Sequence, residues 1–368
     1  LWSTSSANSF GRRFVVTCFG ESHGELIGVV VDGCPAGLSI SEDEVQAELD
    51  KRRPLSTTYS TTRKERDRVR IVSGVFNGRT TGAPICMVID NEDVDSRPYE
   101  EFRVKPRPGH ADYPAIIRYG GFHDYRGGGR FSGRITAALV AAGAIAKKLL
   151  SLVGVEVYAH VSQIGRAMAG REPSVDELRR VYENPVRCAV PEAVEAMEGE
   201  LRKAVEEGDS LGSMVEGYAF NVPPGLGDPM FHGLDSDLAA LLFAVPGVRA
   251  VCLGRGFEAP SLRGSEFIDE YVVDHGRITT TTNKCGGVIG GLSIGTPIHV
   301  KVAFRPPSTI RKEVRTVNLM TMEATTLKAT GRYDPCIGPR AVPIVESCLA
   351  LVLVDHALNQ GLIGAVLK

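Results

Sequence analysis

The sequence carries no excess charge of either sign: 42 Lys and Arg stand against 44 Asp and Glu, a net of -2. That balance argues against a broad nucleic-acid surface, which needs clustered cations. No Cys-x-x-Cys pair occurs. Cys18, Cys34, Cys86, Cys188, Cys252, Cys285, Cys336 and Cys348 are scattered, so neither a zinc site nor a dithiol redox motif is suggested. They read as reduced thiols of a cytoplasmic chain, with an organelle left open. Long apolar runs are missing too. Ala137 to Ala146 stops at Lys147-Lys148, and Leu349 to Val354 is bounded by Glu346 and Asp355, which speaks against a membrane span. The Ser/Thr-rich start lacks an apolar core for a secretory signal, and residues 1–8 are expected to be a frayed extension. Repeats, charge blocks and an evident linker are absent, and the length allows two domains or one large one.

What remains is an ordinary globular composition, 43% hydrophobic and 23% charged, sufficient for a sizeable core. Val- and Ile-rich segments predict strands near 12–18, 28–32, 69–73, 84–90, 154–162, 211–219, 248–253 and 298–304. Helical patterns cover about 41–50, 134–150, 174–183, 190–207, 234–244 and 340–359. The helix at 134–150 is apolar on all sides, hence buried on all sides. That predicts an α+β fold, with a helical layer covered by sheets. Irregular alternation of strands and helices fits a TIM barrel or Rossmann fold poorly.

The chemistry sits between these elements. Gly20-Glu21-Ser22-His23-Gly24 follows a strand and offers a histidine on a tight turn; taken alone, a turn histidine capping a carbonyl explains it better. Lys105-Pro106-Arg107-Pro108-Gly109-His110-Ala111-Asp112 is a rigid run that delivers His110 beside Asp112. A nearby carboxylate is expected to raise the histidine's pKa. Arg126 to Arg134, with Gly127-Gly128-Gly129 inside it, opens the apolar helix as an anion-binding loop. It has no Gly-Lys-Ser/Thr ending, so nucleoside triphosphates are not indicated. Arg332-Tyr333-Asp334 and Pro339-Arg340 precede the last helix, where Asp334 could simply cap or pair. Gly286 to Gly291 and Arg305 to Thr309 read as loops where backbone approaches a ligand. The remaining histidines lack metal-ligand spacing and read as structural. Together these features describe an enzyme that binds a multiply anionic small molecule, with two histidines and an aspartate for proton transfer.

In their order along the chain these motifs resemble the chorismate synthase family. The likeness runs from Asn8-Ser9-Phe10-Gly11 through Ser73-Gly74-Val75-Phe76, Thr80-Thr81-Gly82, Arg107 to Asp112, Arg130 to Arg134, Arg255-Gly256-Phe257 and Arg263-Gly264-Ser265 to Ala341-Val342-Pro343. The resemblance implies a single domain over 1–368, a β-α-β sandwich with a central helical layer between antiparallel sheets, and a homotetramer built as a dimer of dimers. It implies 1,4-anti elimination of phosphate from 5-enolpyruvylshikimate-3-phosphate to give chorismate. Reduced FMN is required without net redox change, and NADPH is the reductant source in some members. Since no Gly-x-Gly-x-x-Gly fingerprint follows a strand, external reduction of the flavin is expected here.

By position, His23 resembles the proton donor to the leaving phosphate, His110 the residue that protonates the reduced flavin, and Asp334 the acid managing the proton at flavin N5. Ser22, Arg52, Arg107, Arg134 and Arg332 match substrate positions. Arg130, Phe131, Ser132, Gly290, Arg305, Pro306, Pro307, Ser308, Thr309 and Arg332 match flavin positions, and Pro246-Gly247 lies near a further one. Three departures stand out: Tyr333 where members commonly have His, and Thr58 and Leu55 in the basic loop. The competing readings are an arginine-lined phosphatase or phosphotransferase with a histidine nucleophile, and a non-catalytic phospho-ligand-binding protein.

Overall fold

Every Val- and Ile-rich segment expected to be extended becomes a strand, and the strands sort into two sheets. The computed structural model describes residues 7–53, 66–330 and 333–367. The first sheet runs Ser9–Phe10, Val15–Gly20, Leu26–Asp32, Ile85–Asp90, Val69–Ser73, with antiparallel neighbours throughout. The second runs Val248–Leu253, Ile298–Phe304, Ser213–Phe220, Glu156–Ile164, Ala167–Met168, again antiparallel. Side chains alternate across a strand, so one face of each sheet can be wholly apolar. Ile27, Val29 and Val31 do this in the first sheet, and Ile298, Val300 and Val302 in the second; all are fully buried.

The helices Thr136–Ser151 and Gly338–Asn359 fill the space between those faces. The former packs on the first sheet, the latter on the second, and the two pack on each other. Gly143 permits their close crossing, because a Cβ there would lie 2.3 Å from the Ser347 side chain. This is the sandwich with a central helical layer expected from the apolar 134–150 segment.

Gly338–Asn359 is long and apolar enough to cross a membrane by composition, contrary to the expectation from the sequence. Its most apolar stretch is 94% buried inside the fold, however, which makes it a core helix. Its acids are matched internally. Glu346 pairs with Lys147, which also meets Glu48 at 2.7 Å. Asp355 Oδ1 accepts the backbone N–H groups of Arg12, Arg13 and Phe14 at 2.9, 2.6 and 2.8 Å.

The expected 174–183 helix is shorter, Val175–Arg179, followed by a separate turn at Val181–Glu183. Of the expected frayed start, Asn8 is held: its carbonyl accepts from the Cys18 N–H at 3.0 Å. The helix Asp112–Tyr119 and the hairpins Tyr271–Asp274/Arg277–Thr280 and Glu313–Asn318/Glu323–Lys328 were not expected. Residues 271–274 are exposed on both faces, so no buried side imposes a pattern on their sequence.

Candidate active site

Four chain segments meet at one end of the helical layer. The helix Glu42–Arg52 begins with a reciprocal Ser41–Glu44 cap, and Val45, Leu49 and Arg52 fall on its buried face. Arg52 therefore points inward from the last turn and is 3% exposed. Its Nε donates to Thr136 Oγ1 at 3.0 Å, Nη2 to the Gly133 carbonyl at 2.8 Å, and Nη1 to Asp67 Oδ2 at 3.0 Å. Arg134, in the short turn before the central helix, donates from Nε to Asn91 Oδ1 at 2.9 Å and from Nη2 to the Asp90 carbonyl at 3.2 Å. Its Nη1 pairs with Asp67 Oδ1.

The run 105–112 turns at Gly109, whose φ of +74° suits glycine, and ends at the first residue of the helix Asp112–Tyr119. There Arg107 lays its fork on Asp112: Nε to Oδ2 and Nη2 to Oδ1, both at 2.8 Å. The guanidinium also lies 4.4 Å from the centroid of the Phe102 ring and donates to Thr309 Oγ1 at 3.3 Å. His110 Nδ1 shares the same carboxylate, 2.6 Å from Oδ1. Despite that, the His110 pKa is lowered. Burial dominates, Arg107 and Arg305 add to it, and the pull of Asp112 does not compensate. The sequence-based expectation of a raised value is thus corrected: it took account of the nearby carboxylate but not of burial and the two cations.

The glycine loop lies between the histidines. A Cβ on Gly127 would lie 2.2 Å from His23 Cδ2, and one on Gly128 would lie 3.3 Å from His110 Nε2. Both glycines have positive φ, so no side chain intervenes and the backbone reaches both rings. His23 is 7% exposed, meets Ser96 Oγ at Nδ1 over 2.9 Å, and stands edge-on to Tyr99. Ser22 is fully buried, and its Oγ has no hydrogen-bond partner among the described residues. Buried hydroxyls are rarely left so.

A cavity of about 260 Å³ is lined by Arg52, Arg107, His110, Gly127, Arg134, Asp334 and Arg340, among others, whereas Ser22 and His23 lie behind Gly127 and do not line it. Asp334 Oδ2 accepts from Arg340 Nη1 at 2.6 Å. Phe131, Ser132, Arg305, Pro307, Ser308 and Thr309 line it as well, and so do Pro246 and Gly247. Arg130 does not. Its side chain reaches Asn8 and Tyr119 and lines an adjoining cavity of about 750 Å³, which shares Thr136 and Pro246 with the first. Pro306 and Gly290 line neither cavity. Gly290 forms the tight turn between Val288–Ile289 and Leu292–Ser293. Gly286 and Gly287 serve packing of backbone on backbone, since a Cβ on either would lie 2.4 Å from Gly254 N or Pro297 O. Arg332, Thr58 and Leu55 lie outside the described residues. Sequence reasoning missed Asp67, Asn91, Ser96 and Tyr99, which carry no local signature and become relevant only through contacts distant in sequence.

A family model described as chorismate synthase matches residues 14–358. The chain belongs to that family. A chorismate synthase from Aeropyrum pernix is 53% identical over 356 residues, covering 96% of this chain and 93% of the relative. Another, from Dehalococcoides mccartyi strain BAV1, is 49% identical over 362 residues, covering 98% and 100%. A solved structure described as a crystal structure of chorismate synthase matches with a TM-score of 0.74 at 29% identity, covering 95% of this chain and 93% of the other. As a member of the chorismate synthase family the chain is a lyase, and nothing in these matches supports a phosphatase, a phosphotransferase or a binding protein without catalysis.

Proposed function

We propose that the small cavity takes 5-enolpyruvylshikimate-3-phosphate and releases its phosphate to form chorismate, with reduced FMN as the cofactor. The observation that carries this reading is an arginine-lined cavity with His110 and Gly127 on its wall, the Gly127 backbone lying directly against His23. The substrate bears a phosphate and two carboxylates. Arg52, Arg107 and Arg134 answer that charge in a site poor in water, where each contact is stronger than in bulk solvent. Ser22 Oγ, buried and without a partner among the described residues, suits a hydroxyl kept for a ligand.

Phosphate leaves more readily once protonated, and His23 is placed to supply that proton, its ring oriented by Ser96 and Tyr99. His110, bridged to Asp112, would hold the proton for the flavin, and Asp334, held by Arg340, would manage the proton at flavin N5. The flavin fits this wall: Ser132, Arg305 and Thr309 supply polar groups, Phe131 and Pro307 flat apolar ones, and the run 130–132 spans both cavities. When bound, reduced FMN supplies the reducing equivalent that the elimination needs and recovers it by the end of the reaction.

We also read the chain as one domain of a cytoplasmic homotetramer. Eight free cysteines suit a reducing compartment, and exposed Phe122, Met230 and Phe231 offer apolar surface for assembly. Single-turnover kinetics with saturating reduced FMN test the catalytic assignment. His23→Ala and His110→Ala are each expected to slow chorismate formation by roughly 10²–10⁴-fold, the scale of general acid–base catalysis. Near-normal rates in folded variants would remove those residues from the mechanism.

A further inference from the structure

Arg52 and Arg134 come from different parts of the chain, yet both guanidiniums are buried along one cavity wall. Two like charges held close in a poorly hydrated site repel each other. Burial and the neighbouring Arg340 and Arg134 all disfavour the charge on Arg52, whereas Asp67 and Asp334 favour it. Asp67 touches both members of the pair. Its side chain is 1% exposed, Oδ2 accepts from Arg52 Nη1 at 3.0 Å, and Oδ1 pairs with Arg134 Nη1. Among the described residues, Arg52 also donates to Thr136 and the Gly133 carbonyl, and Arg134 to Asn91 and the Asp90 carbonyl.

We propose that Asp67 is a positioning residue for substrate recognition, one carboxylate that fixes Arg52 and Arg134 as a preorganised pair facing the anionic groups of the substrate. This rests on the chorismate synthase reading of the cavity. The carboxylate does not touch the reacting atoms. Its work is to lower the repulsion within the pair and hold both planes in place before the substrate arrives, so that binding costs little rearrangement. The Asp67 backbone, with φ +50°, lies in the left-handed region, which Asp and Asn tolerate better than most residues. Asp67→Asn therefore keeps the size and the backbone conformation while removing the charge.

The test measures steady-state kinetics of the holoenzyme with saturating reduced FMN, varying 5-enolpyruvylshikimate-3-phosphate, for wild type, Asp67→Asn and Asp67→Glu. Asp67→Asn is expected to raise KM by roughly 10- to 100-fold, the scale on which a buried charge pair is lost, with kcat changed by less than about threefold. Asp67→Glu restores the charge and is expected to recover part of the lost KM. Should Asp67→Asn fail to fold, a KM for Asp67→Glu equal to that of wild type would overturn the proposal, because the longer side chain cannot hold the pair in the same place. A KM that is unchanged or lower in folded Asp67→Asn would also overturn it: the carboxylate would then compete with substrate for the arginines. A wild-type enzyme that does not turn this substrate over at all would instead bring down the underlying reading.

Discussion

His110 Nδ1 and Asp112 Oδ1 stand 2.6 Å apart, yet the histidine is harder to protonate than a free one. Burial and the Arg107 and Arg305 guanidiniums outweigh the carboxylate. The imidazole is expected to titrate below its ordinary 6.5 when followed by NMR of labelled histidine, and Asp112→Asn to lower it further by removing the group that favours the charge. A histidine depressed in this way contributes stability that is complete above its unfolded pKa and is lost as pH falls through 6.5 toward the folded value. Proton uptake on unfolding near pH 6 should therefore be smaller in His110→Gln. A titration above 6.5 would show that Asp112 governs the site after all.

Gly127 offers a matched pair of substitutions. Gly127→Ala puts a Cβ 2.2 Å from His23 and 2.7 Å from Ser22 Oγ, at a φ of +61°. The left-handed backbone alone costs about 1–2 kcal/mol, and the clash displaces the His23 ring. Turnover is expected to fall by more than about 100-fold, the scale of a lost general acid, with a modest fall in Tm. Gly199→Ala, in the helix Pro191–Glu206 where a Cβ meets nothing within 4 Å, is the control and should leave turnover near wild type.

Asp355 separates stability from catalysis. Its carboxylate accepts three backbone N–H groups at the start of the first sheet and is 3% exposed. Asp355→Ala leaves those donors buried and is expected to cost about 3 kcal/mol or more in denaturant unfolding. Activity per folded molecule at low temperature should hardly change.

Flavin reduction is expected to come from outside the protein. Under anaerobic conditions with oxidised FMN and NADPH alone, chorismate formation should remain at background, and sustained turnover there would contradict this.

The long buried elements were legible because burial writes a period into the sequence. Residues 134–150, apolar all round, announced the helical layer, and the central strands announced themselves by Val and Ile. The hairpin at 271–280 carried no such pattern, and the one at 313–328 only a shallow alternation against the small cluster of Phe102, Leu327 and Ala329. In the site, His23, His110, the glycine loop and the arginines were visible as local runs. What holds them was not: Asp67 meets Arg134 across 67 positions of sequence, and Thr309 meets Arg107 across 202. The His110 pKa was misjudged for the same reason, since Arg305 reaches it only in the fold. Gly286 and Gly287, read as ligand-facing, are spent on backbone packing, a use that sequence cannot distinguish from binding.

The central claim is that this cavity eliminates phosphate with the help of a reduced flavin. The most direct measurement is an anaerobic assay with 5-enolpyruvylshikimate-3-phosphate, following phosphate and chorismate together, with and without dithionite-reduced FMN. The account predicts equal amounts of both products with reduced FMN and neither without it. Phosphate released without chorismate, or released equally well in the absence of reduced flavin, would contradict it.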